Sequence, residues 1–249
     1  MKKACVFTIF DANNAKYFPA FKNSLRKFYT EEELPIVVYT EKNISGPIDF
    51  YRHTPMFAKD LIDEYELVIS ADVDNIFCAP ITDILEAKDY DVGVVFNNNP
   101  REFKKWGVQI WNIPPAAYFN CGLVALRSKE FIDHWWSLCN KSLFMDFPYK
   151  EQDLLNILCT YGNYNVKCFD VDDKFYGLAS NSYWNFFEMK GDDIILKPQT
   201  DDDGQVWPDK EKKICVLHFA EGQASTSKGN YRIKCSPEVS KRLDWLTHE

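Results

Sequence analysis

Residues 67–76 read LVISADVDNI, and the reading of this stretch decides the fold. Leu67, Val68, Ile69 and Ser70 can fill a buried strand, and they run directly into two carboxylates, Asp72 and Asp74, at spacing i, i+2. A strand ending in Asp-x-Asp carries two hard oxygen ligands to the edge of a sheet, where a divalent metal and a phosphate can meet them.

Upstream, residues 4–10 (ACVFTIF) form a continuous apolar run that predicts a buried first strand. Turn residues 11–14 end it, and Phe18, Phe21, Leu25 and Phe28 then recur at helical spacing within 17–29. Residues 35–40 (PIVVYT) predict a second buried strand, and 54–65 a short helix with Phe57, Leu61 and Ile62 on one side.

Downstream, a helical turn at 81–87 precedes a strand at 91–96, and a strand at 119–126 (FNCGLVAL) carries Gly122 where another group needs close backbone approach. Ser128 is a candidate N-cap for a helix running through Trp136 and Leu138. A further helix within 146–161 has Glu151, Gln152 and Asp153 in its first turn. Strands follow at 166–171, at 192–197 as an edge strand, and at 214–219 as a buried strand ending in His218; residues 237–246 close the chain as a helix. Alternating strands and helices imply an α/β class with a mostly parallel sheet flanked by helices, and ligands in such sheets bind beyond the carboxyl ends of the strands.

The 249 residues contain no Gly/Ser/Pro-rich linker, so a single domain is expected over 1–249, closed by a C-terminal helix at 236–249. Hydrophobic content of 46% with 16% aromatic excludes a disordered chain. A net charge of −8 argues against a general nucleic-acid binder, whose affinity depends on neutralising phosphates. No apolar run approaches the roughly 18 residues of a membrane span, and the N-terminal apolar run is too short for a signal-peptide core. The expectation is a cytoplasmic protein, at most peripheral to a membrane. The eight cysteines form no C-x-x-C pair, and five of them lie within apolar runs, where a free thiol packs as a small hydrophobe.

Residues 97–116 are irregular, with Arg101, Lys104 and Lys105 beside Trp106 and Trp111, the composition of a lid or acceptor-binding segment. The acidic run 201–203 reads as a solvated turn.

Asp72 and Asp74 at one strand end and His218 at another make a candidate metal set. Two carboxylates and one imidazole leave three positions of an octahedral shell for a diphosphate and water, which suits Mn²⁺ or Mg²⁺. A satisfied core histidine is the alternative for His218, and a strand-capping residue for Asn120.

The order ADVDN, FNCGLVAL, EQDLLN, LHFAEG resembles the GT-A glycosyltransferases, most closely the family 8 type of glycogenin and the lipooligosaccharide galactosyltransferases. FNCG followed by EQDLLN is the specific part. The resemblance spans about residues 3–222 and implies a single Rossmann-like GT-A domain, with a nucleotide-sugar-binding half at 1–96 and an acceptor-binding and catalytic half at 97–235, that moves a hexose or related sugar from a UDP-sugar to an acceptor hydroxyl with retention. It further implies that Asp72, Asp74 and His218 bind Mn²⁺, with Asp72 nearer the ribose and Asp74 nearer the phosphates. Asn120 and Gly122 would line the sugar and acceptor pocket, Gln152 and Asp153 would approach the transferred sugar, and Thr8 and Tyr17 would lie near the uracil and ribose. The basic residue normally before the D-x-D strand would be Lys59. The family's K-P-W after the late histidine is missing, and Lys228 is the nearest candidate for its lysine. The expected acceptor is a glycan or lipid-linked glycan in preference to modified DNA. Two rivals remain: a nucleotidylyltransferase, although FDANNAKYF lacks the glycine-rich loop that chemistry uses, and a non-catalytic carbohydrate-binding protein with Trp106, Trp111 and Trp184 as sugar platforms.

Overall fold

The structure is a computed structural model, and it describes residues 2–44, 49–97, 113, 117–141, 147, 149–170, 173–177, 186–200, 206–219 and 235–248. Arg101, Lys104, Lys105, Trp106, Trp111, Trp184, the run 201–203 and Lys228 lie outside the described residues.

In chain order the first elements are β1 (Cys5–Ile9), α1 (Phe18–Arg26), β2 (Ile36–Tyr39), α2 (Phe50–Leu61), β3 (Val68–Ala71), β4 (Asn75–Phe77), α3 (Thr82–Glu86) and β5 (Val92–Phe96). Next come β6 (Phe119–Leu126), α4 (Lys129–Cys139), α5 (Lys150–Tyr161), β7 (Val166–Cys168) and β8 (Lys174–Phe175). The chain continues through β9 (Phe187–Lys190), β10 (Asp193–Leu196), β11 (Gln199–Thr200), β12 (Val206–Trp207), β13 (Lys212–Ile214), β14 (Val216–His218) and α6 (Pro237–Thr247).

Six strands form the central sheet in the order β2-β1-β3-β6-β5-β7. β1 pairs in parallel with β2 and β3, and β5 with β7, whereas β6 runs antiparallel between β3 and β5. The continuous apolar runs of β1, β3, β5 and β6 reflect burial on both faces, whereas β2, at the edge of the sheet, is half-buried and not the buried strand its apolar run predicts. Phe7, Val68, Val92 and Val124 pack against Phe57 and Leu61 of α2, Trp135 of α4 and Leu155 of α5. On the other face Val6, Ile69 and Leu123 meet Phe21 and Leu25 of α1 and Ile84. Ser128 caps α4, its Oγ accepting from the Phe131 N–H at 3.2 Å. Ser236 does the same for α6 through Val239 N–H at 3.3 Å.

Three boundaries differ from the sequence reading. α2 begins at Phe50 rather than 54, because Pro55, a residue favoured in a first turn, sits inside the helix instead. The run 192–197 is not an edge: β10 lies between β13 and β9 in a four-stranded sheet, and Gly191, at φ +64°, makes the tight connection from β9. The run 214–219 is two strands in two sheets. β13 ends at Ile214 in the four-stranded sheet, and β14 forms a separate ribbon with β4, pairing His218 with Asn75. The packing of α6 residues Val239, Leu243 and Leu246 against Ile194, Leu196 and Ile214 holds this smaller sheet.

Candidate functional site

The ribbon of β4 and β14 explains how residues about 145 positions apart meet. β4 starts directly after Asp74, so antiparallel pairing of Asn75 with His218 sets the imidazole beside both aspartates. The Phe219 N–H donates to Asp74 O at 3.2 Å and the His218 N–H to Gly177 O at 3.2 Å, which fixes the strand end. His218 Nε2 lies 3.2 Å from Asp72 Oδ2 and 3.3 Å from Asp74 Oδ1. One ligand atom from each of the three falls within 4.8 Å of the others. Cis ligands of an octahedral ion with bonds of about 2.1 Å are about 3.0 Å apart, so the two Nε2–oxygen distances fit a shared cation after small adjustments.

The charge balance fits as well. Burial disfavours the His218 imidazolium, yet the Asp74 and Asp72 carboxylates outweigh it and hold the pKa up at about 10. Burial also pushes the Asp74 carboxyl up, against the pull of His218. With two carboxylates facing one imidazole, the cluster's chemistry suits a divalent cation.

β6 supplies the floor of this cluster. Its register against β5 slips between the Gly93–Ala125 and Val95–Asn120 pairs, while its pairing with β3 stays regular through Ala71–Leu123. Such a bulge turns backbone groups out of the ladder. Gly122 N–H is free to donate to Asn120 Oδ1 at 2.7 Å, an Asx turn, and Gly122 O accepts from Asp72 N–H at 2.9 Å and Asn75 Nδ2 at 2.6 Å. The imidazole lies directly over Gly122: a Cβ there would sit 2.2 Å from His218 Cε1 and Nδ1. This is the close approach expected of Gly122.

Beside the cluster is a cavity of about 210 Å³, with Asp72 and Asp74 on its wall together with Ile9, Asn14, Tyr17, Thr54, Cys121 and Glu151.

Neither a family model nor a curated protein sequence matches the chain. Solved structures do. The galactosyltransferase LgtC, in complex with donor and acceptor sugar analogues, superposes with a TM-score of 0.56 at 14% identity over 98% of this chain and 95% of LgtC. A glycosyltransferase involved in glycosylation of the major capsid of PBCV-1 gives 0.56 at 12% identity over 93% of this chain and 99% of that one. The bifunctional glycosyltransferase WbbM gives 0.56 at 15% identity over 88% of this chain, which spans 46% of WbbM. The fold is GT-A.

Within this GT-A chain the expected residues fall into two groups. Asp72, Asp74 and Tyr17 line the cavity, and His218, Gly122 and Asn120 stand behind it as one hydrogen-bonded unit. The Asp72 side chain is 56% exposed and that of Asp74 15%, so Asp72 is the carboxylate open to the cleft. Gln152, Asp153, Thr8 and Lys59 are not among the cavity-lining residues. The Gln152 Oε1 accepts from Cys121 N–H at 2.9 Å and its Nε2 donates to Tyr118 Oη at 3.4 Å, tying α5 to β6. Asp153 is fully buried; it accepts from Tyr118 Oη at 2.6 Å and from Tyr149 N–H at 2.7 Å, the bonds of a helix-start anchor. Thr8 is buried in β1 with its Oγ1 lacking a hydrogen-bond partner among the described residues. Lys59 Nζ is 2.6 Å from Asp133 Oδ1 on α4.

The residue that sequence reasoning grouped with its neighbours but gave no role is Glu151. It borders the cavity, and its Oε2 is buried without a hydrogen-bond partner among the described residues. Burial, reinforced by the charge of Asp72, pushes its carboxyl well above the usual carboxylate range. Its place in a first helical turn had an ordinary explanation in the helix dipole, and only the structure turns it toward the cleft.

No helix among the described residues is long and apolar enough to cross a membrane, and the described cysteines are all free thiols.

Proposed function

We propose that this chain is a metal-dependent glycosyltransferase that moves a hexose or related sugar from a UDP-sugar to the hydroxyl of a glycan or lipid-linked glycan, with retention of configuration. The observation that carries this reading is the convergence of Asp72, Asp74 and His218 Nε2 at the carboxyl edge of a GT-A sheet, on the border of a cavity. Asp72, Asp74 and His218 would hold Mn²⁺ or Mg²⁺. A cation bound there supplies Lewis-acid stabilisation of the charge that develops on a departing diphosphate.

The protein's own groups divide the rest of the task. Ile9, Asn14 and Tyr17 wall the side of the cavity next to β1, where Thr8 and Tyr17 are the proposed neighbours of uracil and ribose. Glu151 and Cys121 form the α5–β6 side, which faces the sugar in this reading. Glu151 Oε2, buried without a hydrogen-bond partner among the described residues, would accept or share a hydrogen bond with a sugar hydroxyl. Gln152, held against β6, orients that wall; in LgtC an active-site mutant replaces glutamine by glutamate, which supports a role for Gln152 here. The cavity's 210 Å³ is smaller than the roughly 300–1,000 Å³ of a full ligand site, so it would hold part of a donor. Lys228 remains the proposed additional phosphate contact, with the basic and tryptophan-rich segment 97–116 as the acceptor side.

Incubation with a panel of UDP-sugars and Mn²⁺ tests the reading. Release of UDP from one member, raised by an added glycan acceptor, is the expected result. Pyrophosphate release from a nucleoside triphosphate would establish the nucleotidylyltransferase, and glycan binding without turnover of any donor the carbohydrate-binding protein.

A further inference from the structure

The hydrogen bonds beneath His218 define which of its nitrogens carries a proton, and this result rests on the metal-site reading above. Asn120 Oδ1 accepts from Gly122 N–H at 2.7 Å. A backbone N–H can only donate, so the atom facing it is the amide oxygen, and the orientation of the Asn120 amide follows without further assumption. That same Oδ1 lies 3.1 Å from His218 Nδ1. An amide oxygen can only accept, so Nδ1 carries the hydrogen and Nε2 presents its lone pair toward Asp72 and Asp74 whenever the ring is neutral. The other end of the Asn120 amide is also held: Nδ2 donates to Asn97 Oδ1 at 3.1 Å. Asn97 is anchored in turn by its backbone N–H, which donates to Tyr118 O at 2.9 Å. Asn97, Asn120 and His218 are all buried.

We propose that Asn120 and Asn97 are positioning residues that lock His218 in its Nδ1–H tautomer and fix its ring plane, so that Nε2 is the only nitrogen available to a divalent cation. Asn120 therefore acts through the histidine. Its oxygen is occupied twice by protein donors, and the cavity border does not include it. Outer hydrogen-bond partners of a ligating histidine set its orientation and basicity, and their removal weakens metal binding by about 10- to 100-fold. Asn97 works one bond further out and is expected to matter less, within about tenfold.

The test measures Mn²⁺ affinity by calorimetric titration, and the ring tautomer by long-range ¹H–¹⁵N correlation on the Mg²⁺-loaded protein. Circular dichroism establishes that each variant is folded. Asn120→Ala should bind Mn²⁺ about 10- to 100-fold more weakly and lose the pure Nδ1–H signature. Asn120→Asp retains an oxygen for both N–H donors, and the Asn97 amide can turn its Nδ2 toward the new carboxylate. This variant should recover most of the affinity, a rescue that a purely structural role would not produce. If Asn120→Ala does not fold, Asn97→Ala and Asn97→Asp give the same contrast at one remove, with loss for the first and retention for the second. Wild-type affinity and an unchanged tautomer in folded Asn120→Ala would overturn the proposal while leaving the metal site intact. Asn120-dependent Mn²⁺ binding without turnover of any donor would sustain it and overturn the enzymatic reading. Absence of Mn²⁺ binding by the wild type would overturn both.

Discussion

Replacing Gly122 by alanine tests the geometry of the site with a single methyl group. The added Cβ would lie 2.2 Å from His218 Cε1 and Nδ1 and 2.7 Å from Asn120 Oδ1. Ordinary contact needs about 3.5–4.0 Å between carbons, so the ring must withdraw by more than about 1 Å. The His218 backbone cannot follow, because the β4 pairing and the bonds to Gly177 O and from Phe219 N–H to Asp74 O hold it. The side chain has to rotate, and rotation carries Nε2 away from positions 3.2 and 3.3 Å from the two carboxylates. Loss of one of three protein ligands, or of its orientation, should weaken Mn²⁺ binding by at least about 10- to 100-fold, equivalent to about 1.4–2.7 kcal/mol. Overpacking should lower folding stability by about 1–3 kcal/mol. Gly191→Ala is the control. Nothing lies within 4 Å of its added Cβ, but its φ of +64° disfavours a side chain, so stability should fall by about 1 kcal/mol with metal affinity unchanged. Calorimetric Mn²⁺ titration and urea unfolding read the two effects separately. Wild-type Mn²⁺ affinity in folded Gly122→Ala would refute the close packing of histidine on glycine.

Other changes separate the roles of neighbouring residues. Glu151→Gln keeps shape but removes a buried carboxyl; the expected result is a stability gain of about 1 kcal/mol in urea unfolding, a large fall in donor turnover and Mn²⁺ affinity within a few-fold of wild type. Lys59→Met breaks a half-exposed pair with Asp133 and should cost less than about 1 kcal/mol, with donor KM unaltered; a tenfold rise in KM would restore Lys59 to the donor site. Burial raises the Asp153 carboxyl, against hydrogen bonds from Tyr118 and Tyr149. The folded state therefore holds its proton more tightly than the unfolded chain, whose aspartate titrates near about 3.9. That contribution to stability is fully present below about pH 4 and is lost as pH rises through the folded value. Asp153→Asn should be less stable overall because the amide keeps only one acceptor oxygen: with it facing Tyr149 N–H, the Tyr118 hydroxyl loses the oxygen it donates to. Wild-type stability measured relative to the mutant should decline as pH rises above about 4, and an increase over that range would contradict the sign.

Much of the fold was legible because β1, β3, β5 and β6 are buried on both faces, so each appears as an unbroken apolar run between turn residues; β2 carries the same kind of run although it is a half-buried edge strand. The D-x-D at the end of β3 was legible for the same reason, since a carboxylate pair abruptly ends such a run. Long-range pairing was not. His218 looked like the end of one buried strand from Ile214, but the chain changes sheets at Cys215, and the β4–β14 ribbon that delivers the imidazole depends on partners far apart in sequence. Gly122 was marked as a place of close approach, but nothing local says that the approaching group is His218. Asn120 and Asp153 carry polar side chains that suit a sugar, and the structure commits them first to His218 and Tyr118. Glu151 shows the converse: three acidic or amide residues in one helical turn are interchangeable in sequence, and only the direction of the helix face selects the one at the cavity.

The central claim is that Asp72, Asp74 and His218 hold one cation beside the donor cavity. A crystal of the protein soaked with Mn²⁺ and UDP, measured at the manganese edge, tests it most directly. The account predicts a single anomalous peak about 2.0–2.3 Å from Asp72, Asp74 and His218 Nε2, with diphosphate oxygens completing the shell. Diphosphate bound in the cavity with no manganese peak among these three residues, or with manganese bound elsewhere, would contradict it.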